Sequence, residues 1–148
     1  SIEMIEAVGH RFLTTYFKTL SRLLAANGKI VIQAITINDQ VYQQYTKGTD
    51  WIRTYIFPGG HLPSIGHIKE LIAPLPLQLE GMDNIGKHYI KTLEDWKQAF
   101  IQKKDEILRL GFDELFCRKW LYYFCYSQSG FDAGYIQDYH LVFSKQSD

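Results

Sequence analysis

Lys29-Ile30-Val31-Ile32-Gln33-Ala34-Ile35-Thr36-Ile37 is the stretch on which the fold turns. Its β-branched residues favour a strand, and so continuous an apolar run reads as a strand buried on both faces, as in a parallel sheet. Upstream, Arg11 to Ala26 places Phe12, Leu13, Tyr16, Phe17, Leu20, Leu23 and Leu24 at helical spacing. Asn27-Gly28 ends that helix, with Gly28 free to take the left-handed conformation. Before it, Ser1 to Val8 reads as the end of a buried strand that turns at Gly9. Strand, helix and strand with short joints make a right-handed βαβ unit.

Downstream, Asp39 to Tyr55 reads as one or two short helices, and Pro58-Gly59-Gly60 forces a turn. Ser64 is placed to cap a helix reaching Ile72, before Pro74. Leu75 to Asn84 reads as a strand with a bulge at Gly81. Gly86 to Leu110 reads as one long helix, with Tyr89, Leu93, Trp96, Phe100 and Ile107 along a stripe. Asp113 caps a further helix to about Ser129, and Tyr139 to Ser144 is the last strand. Four strands interleaved with helices indicate an α/β architecture in a single domain of 148 residues.

The charge balance, 16 basic against 16 acidic residues, argues against a nucleic-acid binder working by bulk charge. Aromatic residues make up 15%, which implies a thick core or an apolar ligand. No apolar run approaches the ~20 residues that span a bilayer. Cys117 and Cys125 lie eight apart on one helix, about 12 Å, too far for a disulfide and in keeping with a reducing, cytoplasmic compartment. The five histidines show no metal-ligand spacing, so no metal is expected. There is no phosphate-cradling glycine loop and no nucleophile elbow. Glu6 ends the first strand, where α/β sheets bind ligands, although a carboxylate there also suits a following helix N-terminus. Gln33 sits mid-strand, and a buried amide needs partners, of which backbone groups are the plainest.

Tyr55-Ile56-Phe57-Pro58-Gly59-Gly60-His61-Leu62-Pro63-Ser64 resembles the YIFPxGxLPS signature of cyclopropane-fatty-acyl-phospholipid synthases and mycolic acid methyltransferases. SIEMIEAVG (Ser1 to Gly9), GKHYIKTLEDW (Gly86 to Trp96) and FDELFCRKWLYYFCYSQSGFDAGYI (Phe112 to Ile136) resemble the same family in order and spacing. The resemblance implies the C-terminal half of a Rossmann-like methyltransferase domain over residues 1–148, with the cofactor-binding half N-terminal to it. The start, inside an apolar stretch and without a Met, is then expected to be a cut end. In that fold the strand order is 3-2-1-4-5-7-6, and this chain would supply strands 4 to 7.

The implied activity is transfer of a methyl group from S-adenosylmethionine to the cis double bond of an unsaturated phospholipid acyl chain, with bicarbonate as the base for ring closure. Of the family's bicarbonate ligands, the Glu falls on Glu6 and the Tyr on Tyr89, while the His is replaced by Gln33. A backbone contact to the cofactor falls on Ile2, and the position of a cysteine proposed in some relatives falls on Ser127, two residues from Cys125. Rings such as Trp120, Tyr122 and Tyr123 would face a carbocation or simply fill the core. The parent protein is expected at the cytoplasmic membrane surface, peripheral, and a homo-oligomer is compatible with this reading. The isolated chain is expected to be inactive. A catalytically silent lipid-binding or interaction fragment, and a methyltransferase with another substrate, are the alternatives.

Overall fold

The KIVIQAITI strand pairs antiparallel with its main neighbour in the computed structural model, which describes residues 1–145. β1 (Lys29–Ile37) runs against β3 (Ile136–Lys145), and β2 (Leu77–Asn84) runs against the other edge of β3, giving the order β1-β3-β2. That is the order implied for strands five, seven and six. Parallel pairing is confined to one bridge, Ile2 with Gln33. The expected first strand ends there, because Glu3 takes φ 47° and turns the chain out of the extended direction. Ile5–Val8 is then a short helix, α1. The expected four strands are thus three strands and a bridge.

Helices cover both faces of this sheet. On one side, α1, α2 (Leu13–Leu23) and α5 (Ile65–Ile72) close over Ile32, Ala34, Leu141 and Phe143, all fully buried. On the other, α6 (Gly86–Gln102) and α8 (Glu114–Asp132) pack together around Leu93, Phe124 and Phe131, with Ile35 and Ile136 of the sheet beneath them. Between β1 and α5 the chain forms α3 (Asp39–Lys47) and α4 (Trp51–Tyr55), and between α6 and α8 it forms α7 (Lys104–Arg109).

Local chemistry sets several boundaries as expected. Ser64 Oγ accepts from His67 N at 3.2 Å, and Asp113 Oδ1 accepts from Phe116 N at 2.7 Å, each capping its helix. The pairing of β2 slips between Leu79 and Gly81, so the bulge lies there with Glu80 as the extra residue. Other boundaries differ, as where α8 runs on to Asp132 and β3 begins at Ile136. Asn27, at φ 61°, takes the left-handed position instead of Gly28. The single helix expected from Gly86 to Leu110 breaks at Lys103, whose N–H is shared between Ala99 O and Phe100 O as the last turn tightens.

Gly86 starts α6 in a tight place. A Cβ there would stand 2.9 Å from Gln137 Oε1 and 3.0 Å from Asp138 N. Gly86→Ala is therefore expected to cost about 1–3 kcal/mol by overpacking, read as a lower urea midpoint with an unchanged slope. A loss under about 0.5 kcal/mol would mean that the β2–α6 joint yields freely.

Candidate functional site

Strand parity builds the site. The β1–β3 register sets Gln33 opposite His140 and Ile35 opposite Asp138. Side chains alternate between faces, so these four residues share the face under α6 and α8. Asp138 is fully buried. Its Oδ2 accepts from Gln33 Nε2 at 2.8 Å, while Oδ1 is buried without a partner among the described residues.

The Gln33 amide is a junction. Its Nε2 also lies 3.0 Å from Glu3 Oε1 and 3.2 Å from the Tyr89 hydroxyl, and its Oε1 lies 3.3 Å from His140 Nε2. Two amide hydrogens face two carboxylates, which orients the NH2 group toward the acids and leaves the amide oxygen to accept from His140. Tyr89, one turn into α6, donates its hydroxyl to the same Glu3 Oε1. Burial raises the proton affinity of both Glu3 and Asp138, and the charge of Asp138 adds to the effect on Glu3.

Glu6 belongs to the same region but to a separate set of bonds. Its Oε1 accepts from Ile35 N at 2.6 Å, and its Oε2 is buried without a partner among the described residues. Desolvation by burial raises it to about 7, against the backbone bonds that favour its charge. The YIFPGGHLPS loop holds this segment in place, since His61 N donates to Glu6 O at 2.8 Å. His61 itself is buried, 3.1 Å from the Tyr42 hydroxyl, and burial lowers it to about 4, so it is neutral at physiological pH.

Glu3, Glu6 and Tyr89 line a cavity of about 780 Å³ whose other walls are largely apolar, among them Leu93, Phe57 and Tyr123. Tyr89 stacks on Phe131 with centroids 5.1 Å apart, which fixes its ring. Ser127 lines the cavity, while Cys125 is exposed. Tyr123 is also a wall residue, Tyr122 is half exposed, and Trp120 belongs to the second core cluster.

Of the residues singled out in the sequence, Gln33 and Tyr89 meet directly. Glu6 shares the cavity and bonds to neither. Ile2 is largely exposed and sits on the outer edge of β1. Its pairing uses Ser1 O and Glu3 N, which leaves its own N–H and C=O turned away from the sheet. Sequence reasoning missed Glu3 and Asp138. Asp138 carried a signal: a carboxylate and His140 alternate in an otherwise apolar strand, and such residues need partners if the strand is central.

Among the described residues, no group of three or more His, Cys, Asp or Glu is placed to hold a metal ion. No described helix is long and apolar enough to cross a membrane.

A family model described as mycolic acid cyclopropane synthetase matches residues 1–141. The chain is 40% identical over 140 residues to tuberculostearic acid methyltransferase UfaA1 of Mycobacterium tuberculosis, covering 94% of this chain and 33% of that protein. It is 33% identical over 150 residues to the cyclopropane-fatty-acyl-phospholipid synthase of Escherichia coli K12, covering 98% of this chain and 36% of that one. Among solved structures, mycolic acid cyclopropane synthase CmaA1 complexed with SAH and CTAB superposes with a TM-score of 0.88 at 27% identity, covering 98% of this chain and 54% of that chain. The chain thus spans about a third of the length of these curated relatives. Its α/β architecture is that of S-adenosylmethionine-dependent methyltransferases, and the chain belongs to the mycolic acid cyclopropane synthetase family.

Proposed function

We propose that this chain is the acyl-chain-binding half of an S-adenosylmethionine-dependent methyltransferase acting on the cis double bond of an unsaturated phospholipid. One observation carries the reading: a cavity of about 780 Å³, walled largely by apolar and aromatic side chains, with the carboxylates of Glu3 and Glu6 among its lining. An alkyl chain suits the walls, and a cationic methyl donor suits the acids. The solved relative complexed with SAH and CTAB, a long-chain quaternary ammonium, supports both halves of that reading.

Bound S-adenosylmethionine would supply an electrophilic methyl group on a sulfonium. The buried Glu6 Oε2, unpartnered among the described residues, and the cavity-lining Glu3 fit its positive charge, and the outward backbone of Ile2 is a contact for it in this reading. The chain's own residues then exclude water and favour positive charge on the acyl chain. Glu6 does so electrostatically, and Tyr89 and Tyr123 do so through their ring faces. Gln33 and Tyr89 hold Glu3 by hydrogen bonds.

Bicarbonate fits poorly here. It is an anion that needs donors, yet the Tyr89 hydroxyl serves Glu3, the Gln33 amide serves Glu3 and Asp138, and Ile35 N serves Glu6. No step is assigned to it.

The test incubates the longer protein containing this chain with vesicles of cis-monounsaturated phospholipid and methyl-labelled S-adenosylmethionine. Label in the acyl chains is expected, and mass spectrometry then tells a ring from a branch. Label found only in a small molecule, or nowhere, would overturn the reading. The 148-residue chain alone is expected to transfer none, because it spans a third of those relatives' length. Recovery of the protein with membranes that salt alone releases is the expected sign of peripheral attachment.

A further inference from the structure

The hydrogen bonds around Gln33 place an acid where a bound anion has no donors left to hold it. From this, and resting on the methyl-transfer reading, we propose that Glu3 is the built-in base of the reaction: its carboxylate takes the proton lost from the alkylated acyl chain, and Gln33 and Asp138 position it.

Glu3 lines the cavity, so it is within reach of a chain lying there. Its Oε1 is held by Gln33 Nε2 at 3.0 Å and by the Tyr89 hydroxyl, while no hydrogen bond among the described residues engages Oε2. One oxygen is thus clamped and the other has open lone pairs. The clamp is anchored from below: fully buried Asp138 takes the second Gln33 hydrogen at 2.8 Å, and His140 meets the Gln33 oxygen.

The backbone points the same way. Glu3 is one of two non-glycine residues with positive φ among those described, at 47°, fixed by its N–H to Gln33 O at 3.0 Å and by Gln33 N to Ser1 O at 2.9 Å. A glycine would hold that conformation without strain, and a strained residue at a cavity wall is kept for its side chain. Burial beside Asp138 raises the proton affinity of Glu3, which strengthens it as an acceptor.

The step balances. The electron pair of the double bond forms a C–C bond to the sulfonium methyl carbon. The S–C electrons leave with sulfur, and a carbocation is left on the chain. A C–H bond of the transferred methyl then breaks, its electron pair closes the ring, and its proton passes to Glu3. Loss of a proton from a chain carbon instead gives a branched alkene with the same base. Gln33 cannot accept that proton, because an amide is not a base in this range.

The experiment uses the longer, lipid-methylating protein, with carbon dioxide and bicarbonate removed and then restored. Wild-type turnover is expected to be unchanged between the two conditions. Glu3→Gln is expected to lose about 10²–10⁴-fold in kcat. Glu3→Gly relieves the positive φ and is expected to fold; it should lose activity and regain part of it with added bicarbonate. A second readout is independent of turnover: bicarbonate should raise the melting temperature of Glu3→Gly and not that of the wild type.

Wild-type turnover that falls without bicarbonate, or Glu3→Gln within about threefold of wild type, would overturn the proposal while leaving methyl transfer intact. Should Glu3→Gln fail to fold, the bicarbonate response of the wild type decides. A wild type that methylates no lipid at all would overturn the functional reading, and this proposal with it.

Discussion

Glu6→Gln is expected to lower turnover by about 10²–10³-fold and, at the same time, to make the protein more stable above pH 7. The two effects share one cause. Glu6 is held with one oxygen on Ile35 N at 2.6 Å and the other buried without a partner among the described residues, so its charge is poorly solvated. A charge kept in that state is available to a cationic reaction centre, and it is a burden on the fold.

The sign follows from linkage. Burial raises the folded-state value of Glu6 from 4.5 to about 7. The folded state therefore binds the proton more tightly than the unfolded chain. Its contribution to stability is complete below about pH 4.5 and is lost as pH rises through about 7. Discounted for partial exposure, the loss is about 2 kcal/mol. Glutamine keeps the acceptor for Ile35 N and never ionises. Thermal melts of wild type and Glu6→Gln should nearly coincide at pH 4.5 and separate by several degrees at pH 8.5. Glu3 and Asp138 are raised in the same direction by burial, so each adds to the wild-type decline as pH rises. Equal separation at both pH values would remove Glu6 as the source.

Phe143→Ala is expected to destabilise the protein by about 3–5 kcal/mol. Phe143 is fully buried on β3, paired opposite Ile30 on one side and Leu79 on the other. Its ring meets Phe17 of α2 edge-on, with centroids 6.0 Å apart. Truncation leaves a void between the sheet and α2, which a close-packed core fills only in part. A domain of this size has about 5–15 kcal/mol to lose, so the urea midpoint should fall by about a fifth or more. A cost below about 1.5 kcal/mol would show that α2 settles onto the sheet.

Much of this fold is legible locally. Ser64 and Asp113 announce their helices because a cap is a matter of three or four residues. The bulge at Leu79/Gly81 is legible because glycine in a strand has few other reasons to be there. Apolar spacing marks α2, α6 and α8, while the break at Lys103 carries no glycine or proline to mark it. The first segment misled because a short apolar run with alternating acids suits a strand and a helix equally, and the turn hangs on the backbone of Glu3. The direction of the sheet misled for a similar reason: apolar β1 looks the same beside a parallel or an antiparallel neighbour.

The site was half visible. Glu6 and Gln33 stood out by their places at a strand end and in mid-strand, and the motif resemblance added Tyr89; Glu6 and Tyr89 line the cavity, and Gln33 bonds to Tyr89. Asp138 was hidden because its partner is 105 residues away, and only the register of β1 on β3 says that the two share a face. The role of Glu3 was hidden because nothing local distinguishes it from Glu6.

The order β1-β3-β2 also has a meaning in time. The central strand follows both of its neighbours along the chain, so neither β1 nor β2 has its ladder until β3 arrives between them. During synthesis the ribosome releases β1 and β2 with open edges well before the strand that closes them. The acids go dry at that same moment, because the bonds joining Glu3, Gln33, Tyr89 and Asp138 span 30, 56 and 105 residues. Contacts so distant in sequence make this part of the fold slow and late to form, and they keep its strand edges open until β3 is in place.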